Sequence, residues 1–357
     1  MHQAIVHIGT EKTGSTAIQN FLYKNEVLLK KHRVLYPYRT CGLISNFRMV
    51  IQSLNESDPL LVAMDLRAKN STEYTSYGND PEQWRKEFNE EHHKEIQKFQ
   101  NRRTQSTVVY SSEHFHSRIE HEEEIIRLRE FLDYYYDQVR IVSYLRRQDR
   151  LAISGHNTSI QGGAVNDFDF ASIDGKTKYF DYLTMLTRWS KVFGSDNVVA
   201  KIYERNRLTD QDVGKDFKAT ILPPDISKKF DKKKSVHYER SNPRLSFSAL
   251  QALVAFNRKH SGDAEFNGVE KERLRQPLIT ALHSLRDDFG EVLPARKTAE
   301  AFYERFRKDN QQVFEQWGDG QTFNEDFSMF PTEADSIPAV DANALLSQYL
   351  KPVISAL

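Results

Sequence analysis

Near the start of the chain, a lysine and two threonines lie between two glycines, and two more hydroxyls follow: Gly9-Thr10-Glu11-Lys12-Thr13-Gly14-Ser15-Thr16. Those residue types suit an anion. Residues 4–8, Ala-Ile-Val-His-Ile, predict a short buried strand before the loop. Ala17, Ile18, Phe21, Leu22 and Leu29 predict an amphipathic helix after it. A strand, a glycine-bounded loop and a helix together form a phosphate cradle. Backbone N–H groups and the positive end of the helix dipole face the anion, and a lysine adds a mobile full charge. In a Walker A loop the lysine directly follows the second glycine. Here Lys12 precedes Gly14 by two positions. A plainer reading stays open, in which Gly14 makes a turn, Ser15 caps the helix and Lys12 is merely solvated.

The order of these residues resembles the 5′-phosphosulfate loop of sulfotransferases that use 3′-phosphoadenosine 5′-phosphosulfate (PAPS), of the form G-x-x-K-x-G-[ST]-[ST]. The resemblance implies that the backbone of residues 12–16 and the Ser15 and Thr16 hydroxyls hold the 5′-phosphate. Lys12 would then neutralise the bridging oxygen as it leaves; Gly14 belongs to the same phosphate loop, and Thr10 and Thr13 are weaker candidates for the phosphate, since either could simply cap the turn. That family binds the 3′-phosphate with an arginine at a strand end and a serine eight residues later. Here residues 139–145, Val-Arg-Ile-Val-Ser-Tyr-Leu, predict a strand that runs into Arg146, and Ser154 follows at that spacing. An arginine fork and a hydroxyl two helical turns on can grip one phosphate from two sides. The alternative is an exposed basic helix start, which the helix dipole disfavours when no anion is present.

Sulfuryl transfer also needs a proton acceptor, which in this family is a glutamate or a histidine. The strand predicted at Thr107–Ser112 ends on Glu113, His114 and His116. Glu113 is the preferred base, then His114, with His116 behind both. Glu113 could instead pair with an arginine such as Arg146 and only order the site. His7, inside the first strand, reads as a core histidine. His156 and Asn157 follow Ser154 on the same helix and could face the acceptor.

Lys+Arg and Asp+Glu are equal at 50 each, which argues against general nucleic-acid binding and against a polybasic membrane anchor. The single cysteine, Cys41, cannot form an internal disulfide. No apolar run is long enough to span a bilayer, and no leader precedes the loop, so the expectation is a cytoplasmic protein. With family habits added, a bacterial one is expected. The histidines show no metal-ligand spacing, and the family needs no metal.

These groups require an α/β fold. The pattern β-α-β-α-β-α-β-α-β through Asn197–Tyr203 predicts a mainly parallel sheet flanked by helices. The resemblance makes this the P-loop NTPase-like sulfotransferase fold, one domain over 1–357. Strands are expected at 4–8, Val34–Pro37, Thr107–Ser112, 139–145 and Asn197–Tyr203. Helices are expected at Ser15–Lys31, 44–66, Pro81–Gln100, from Glu122 to near Tyr135, from Asp149 to about Ile160, and at Tyr179–Phe193. Residues 40–105 read as a helical insertion, with a polar loop at 70–81. Residues 208–357 read as a helical C-terminal part, with helices at Thr209–Thr220, Ser246–His260, Lys271–Phe289, Thr298–Trp317 and Asp341–Leu350. The run Lys228–Lys234 reads as a solvated loop or a flap over the nucleotide, and Trp189 and Trp317 as core.

The likeness is strong at 4–22 and 139–157 and moderate at 179–217. Its tail includes Ser241-Asn242, Asp309-Asn310 and Phe323-Asn324-Glu325-Asp326-Phe327. It is nearest to bacterial carbohydrate-type sulfotransferases. It therefore implies a sulfuryl acceptor that is a carbohydrate or another hydroxyl compound. A P-loop kinase or a nucleotide-binding protein without transferase activity is the alternative. A kinase needs a magnesium-binding aspartate at a strand end, where this sequence offers Glu113 and Glu204.

Overall fold

Ala4, Ile5 and Val6 follow one another without a polar residue, and all three are buried. A strand that is apolar on both faces belongs in the middle of a parallel sheet. That is where β1 (His2–His7) lies. The structure, a computed structural model, describes residues 1–42, 44–55, 81–232, 236–238, 245–260, 268–286, 292–336 and 338–356.

After β1 come α1 (Ser15–Lys24), α2 (Glu26–Lys31), β2 (Val34–Leu35), α3 (Phe47–Ser53), α4 (Pro81–Gln100) and β3 (Ser106–Ser111). Next are α5 (His114–Arg118), α6 (Glu122–Asp133), β4 (Gln138–Leu145) and α7 (Gln148–Gln161). Then follow α8 (Tyr182–Phe193), β5 (Val198–Ile202), α9 (Val213–Ile221), α10 (Pro224–Asp231) and α11 (Phe247–Lys259). The last helices are α12 (Gly268–Leu282), α13 (Arg296–Glu304), α14 (Arg307–Trp317) and α15 (Ala342–Ser355). The strands form one five-stranded sheet in the order β2-β3-β1-β4-β5, and every pairing is parallel. Among the described residues past β5 there are only helices, turns and irregular segments.

Two compact units divide the chain. The first comprises Met1–Arg146, Lys176–Ser241 and Arg307–Phe323; the second comprises Arg147–Gly175, Asn242–Phe306 and Asn324–Leu357. The first contains the sheet. One of its core clusters joins Ile5, Val109 and Val142 of the strands to Ile18, Phe21 and Leu22 of α1 and to Phe217 of α9. In the second, α11 packs its Ala249, Leu253 and Phe256 against Leu278 and Leu282 of α12 and Leu346 of α15.

Several expected bounds shift, each for a local reason. The helix expected over Ser15–Lys31 is two helices, because the Asn25 side chain bonds the Phe21 carbonyl at 2.8 Å and the His237 carbonyl at 2.9 Å. Its apolar spacing runs on across that break, so the sequence hides it. The strand at Val34 is only two residues long, with Pro37 just beyond it. Of the helix expected at 44–66, α3 is the described part. The rest of it from residue 56, and the loop expected from 70, lie outside the described residues. The helix expected over Thr298–Trp317 breaks at Arg305–Phe306. The sequence reading missed α5 and α10. Lys228 and Lys229 are exposed in the last turn of α10, while Lys233, Lys234, Ser241 and Asn242 lie outside the described residues. Trp189 and Trp317 are buried, as expected.

Candidate functional site

The chain leaves β1 toward β2 on one side of the sheet and leaves β4 toward β5 on the other. In open α/β sheets the crevice at the carboxyl ends of two such strands is where ligands bind. The loop of residues 9–14 follows β1, Arg146 follows β4, and Glu113 follows the neighbouring β3.

The loop is held from below by backbone and hydroxyl bonds. Ile8 N–H donates to the Val142 carbonyl at 3.0 Å, and Thr10 N–H to the Tyr144 carbonyl at 3.4 Å. Ser143 Oγ donates to the Gly9 carbonyl at 2.7 Å. Thr10 Oγ1 donates to the Tyr144 carbonyl at 3.2 Å, and Thr13 Oγ1 to the Thr10 carbonyl at 2.5 Å. Both threonines are buried, so their hydroxyls are spent on loop architecture. Ser15 Oγ donates to the same Thr10 carbonyl at 3.3 Å, while Thr16 is exposed.

Two glycines make this path possible. Gly9 has φ +82°, and a Cβ there would lie 2.7 Å from the Glu113 Cα. Gly14 has φ +83°, and a Cβ would meet Val213 Cγ1 at 2.8 Å and the Tyr203 ring at 3.0 Å. Only glycine combines that backbone conformation with so close an approach. Lys12, exposed, also adopts a left-handed φ of 63°. Such a conformation is uncommon for a residue with a side chain and clusters at functional sites. Gly14 is the N-cap residue of α1; no side chain caps that helix, and no acidic residue occupies its first turn.

Arg146 reaches the loop from β4. Its Nη1 donates to the Lys12 carbonyl at 3.2 Å, its guanidinium lies 6.0 Å from the Tyr203 ring centre, and its carbonyl accepts a 2.6 Å bond from Tyr182 Oη. The alternative role for Glu113, pairing with an arginine such as Arg146, is not what its carboxylate shows. The Glu113 carboxylate takes its hydrogen bond from Gln19 Nε2 at 2.7 Å. Glu113 stands at the N-cap of α5 and is half-buried.

His114, beside it, packs its ring edge-to-face on Phe47 at 4.8 Å, and its Nδ1 lies 3.2 Å from Ser117 Oγ. Burial holds its pKa below the ordinary histidine value, against the opposing pull of Glu113 and Glu11. Burial raises the Tyr179 pKa, and the charge of Glu11 adds to the rise. His116 is buried with Nε2 on the Lys178 carbonyl at 2.9 Å, and burial lowers its pKa to about 4. With one ring nitrogen on a carbonyl and the other enclosed, His116 is a core residue. His7 is one too: Nδ1 lies 2.8 Å from Ser111 Oγ, and burial pushes its pKa down to about 3.

The first unit thus brings together Thr10, Lys12, Thr13, Gly14, Ser15, Thr16, Glu113, His114 and Arg146. Ser154 belongs to the second unit, half-buried on α7, where its carbonyl accepts from Thr158 Oγ1 at 3.1 Å. His156 lies on the same helix, edge-to-face with Phe168 at 5.3 Å. The residue next to Arg146 has a separate task. Arg147 is buried and forms a bidentate pair with Asp149 at 2.7 and 2.9 Å. It also donates to the Asn324 and Asp326 carbonyls and stacks 3.9 Å from the Phe327 ring centre. The Asn-Glu-Asp-Phe segment is therefore a structural clasp of the second unit.

Sequence reasoning missed Gln19, Ser143 and Tyr203. The one available signal was that Gln19 stands four positions after Ser15, on the same helix face.

No family model matches the chain. An uncharacterized protein of Archaeoglobus fulgidus is similar to it, with 28% identity over 236 residues, or 64% of this chain and 60% of that protein. The chain thus spans about three fifths of that relative's length. No helix among the described residues is long and apolar enough to cross a membrane.

Proposed function

We propose that the protein is a sulfotransferase that moves a sulfuryl group from PAPS to a hydroxyl of an acceptor. One observation carries the reading: the uncapped N-terminus of α1, entered through two left-handed glycines with Lys12 between them. An anion there meets unsatisfied N–H groups and the helix dipole, with no carboxylate in the first helical turn to oppose it.

In this reading the 5′-phosphate sits on the loop, and Lys12 meets the bridging oxygen. Arg146 takes the 3′-phosphate. The acceptor oxygen attacks sulfur in line. Its proton goes to Glu113, the S–O bridge breaks, and the electron pair stays on the departing phosphate, where Lys12 neutralises it. His114 is the second candidate for the proton. The sequence resemblance points to a carbohydrate acceptor, such as a polysaccharide or glycolipid.

Calorimetry with 3′-phosphoadenosine 5′-phosphate (PAP), AMP, ADP and ATP tests this reading. A charge-assisted 3′-phosphate contact discriminates by roughly 2–5 kcal/mol. PAP should therefore bind far more tightly than AMP or ADP. Equal affinities would remove Arg146 from its role, and a preference for ATP with magnesium would favour a kinase or hydrolase.

A further inference from the structure

We propose that Gln19 is the positioning residue for the Glu113 carboxylate, so that the helix gripping the donor phosphate also aims the base. The inference rests on the sulfotransferase reading.

Gln19 is only 4% exposed, and its Nε2 lies 2.7 Å from Glu113 Oε2 across 94 positions of sequence. It stands one helical turn after Ser15 on α1. The two therefore share a face, Ser15 at the phosphate end and Gln19 beneath the carboxylate. The backbone of Glu113 is fixed separately, by the bare Cα of Gly9 packed on its own Cα. Loop and helix together hold the base at two points. A glutamate fixed only at its backbone keeps several rotamers and loses alignment with an incoming hydroxyl. With Oε2 held by the amide, Oε1 is the oxygen that takes the acceptor proton as the new O–S bond forms and the S–O bridge breaks.

The test uses the full chain, PAPS as the probe and PAP release as the readout, with transfer to water as the minimal reaction. Gln19→Ala should lower turnover roughly tenfold to a hundredfold while leaving PAP affinity unchanged. In a Glu113→Gln background the same change should cost less than about twofold, because the base is already gone. Equal losses in both backgrounds would overturn the proposal and make Gln19 a fold residue. Weakened PAP binding would overturn it as well, by placing Gln19 in service of the phosphate loop.

Gln19→Glu keeps the size and adds a second carboxylate at hydrogen-bond distance. Two such groups cannot both ionise freely, so the acid limb of the pH–rate profile should move to higher pH. An unmoved limb would refute the contact in solution. Should Glu113→Gln alone keep wild-type turnover, the base assignment fails, and Gln19 with it. PAP binding without PAPS turnover by the wild-type chain would overturn the transferase reading itself.

Discussion

Replacing Gly9 with alanine isolates the tightest junction of the site, because the same chain supplies its own control. Gly9 and Gly320 have almost the same left-handed φ, +82° and +80°. A methyl group added at Gly320 would meet nothing within 4 Å, whereas one added at Gly9 would stand 2.7 Å from the Glu113 Cα. Gly320→Ala therefore carries only the left-handed penalty, about 1 kcal/mol once the stiffer unfolded chain is allowed for. Gly9→Ala carries that penalty and a contact about 1 Å inside normal carbon–carbon separation. The opposing atom is backbone, so relief requires the loop or the start of α5 to move, at a further cost of about 1–3 kcal/mol. The expected losses are about 1 kcal/mol for Gly320→Ala and about 2–4 kcal/mol for Gly9→Ala.

Both glycines lie in the first unit, and so do all three tryptophans, Trp84, Trp189 and Trp317. Urea unfolding followed by tryptophan fluorescence thus reports this unit by itself. Gly9→Ala should also weaken PAP binding, which Gly320→Ala should not. Equal destabilisation by the two substitutions would refute the argument that Gly9 is required for close packing on Glu113.

Three other outcomes are expected. Lys12→Ala should lower PAPS turnover far more than PAP affinity, because its charge counts most as the leaving oxygen becomes negative; near wild-type turnover would assign that task to another cation. Arg147→Ala should destabilise the second unit by about 3–5 kcal/mol, since it leaves the Asp149 carboxylate buried and unpaired; circular dichroism would show this, and an unchanged melting curve would contradict the clasp. His7, His92 and His116 are buried neutral, with pKa values lowered by burial to about 3, 3 and 4. The unfolded chain takes up these protons below about pH 6.5 and the folded chain does not, so stability is complete above that pH and falls on acidification. Each histidine should cost about 1.4 kcal/mol per pH unit between 6.5 and its folded value. Tryptophan-detected stability that stays level from pH 7 to pH 5 would show that these rings are accessible to protons.

The sheet was legible because its signals are local. Val139–Leu145 and Thr107–Ser112 are segments of strand length rich in β-branched and aromatic residues, and the loop glycines stand where only left-handed residues fit. The core role of His7 was legible too, since an imidazole inside an apolar run has neighbours on both faces. What escaped depends on partners distant in sequence. Gln19 looks like an ordinary polar helix residue until Glu113 is folded onto it. Asn25 looks like one more helical position until the backbone at His237 takes both ends of its amide. Arg147 and Arg146 are adjacent and chemically identical, yet one is buried against Asp149 and the other bonds the Lys12 carbonyl. No local pattern separates them. The α5 helix was missed because five residues are too few for a periodic signal.

The position of β1 has a consequence for synthesis. Of the five strands of this sheet it leaves the ribosome before the other four, and it is the middle one. Its partner on one side begins at Ser106, opposite His2, and on the other at Gln138, opposite Gln3. At ordinary elongation rates the first neighbour follows by several seconds or more, and the second by roughly ten. Throughout that interval an apolar strand and the lysine-bearing loop behind it exist without a sheet to join. The segment with the densest chemical content is thus made well before the strands that complete it, and it depends on whatever shields a nascent chain until β4 has emerged.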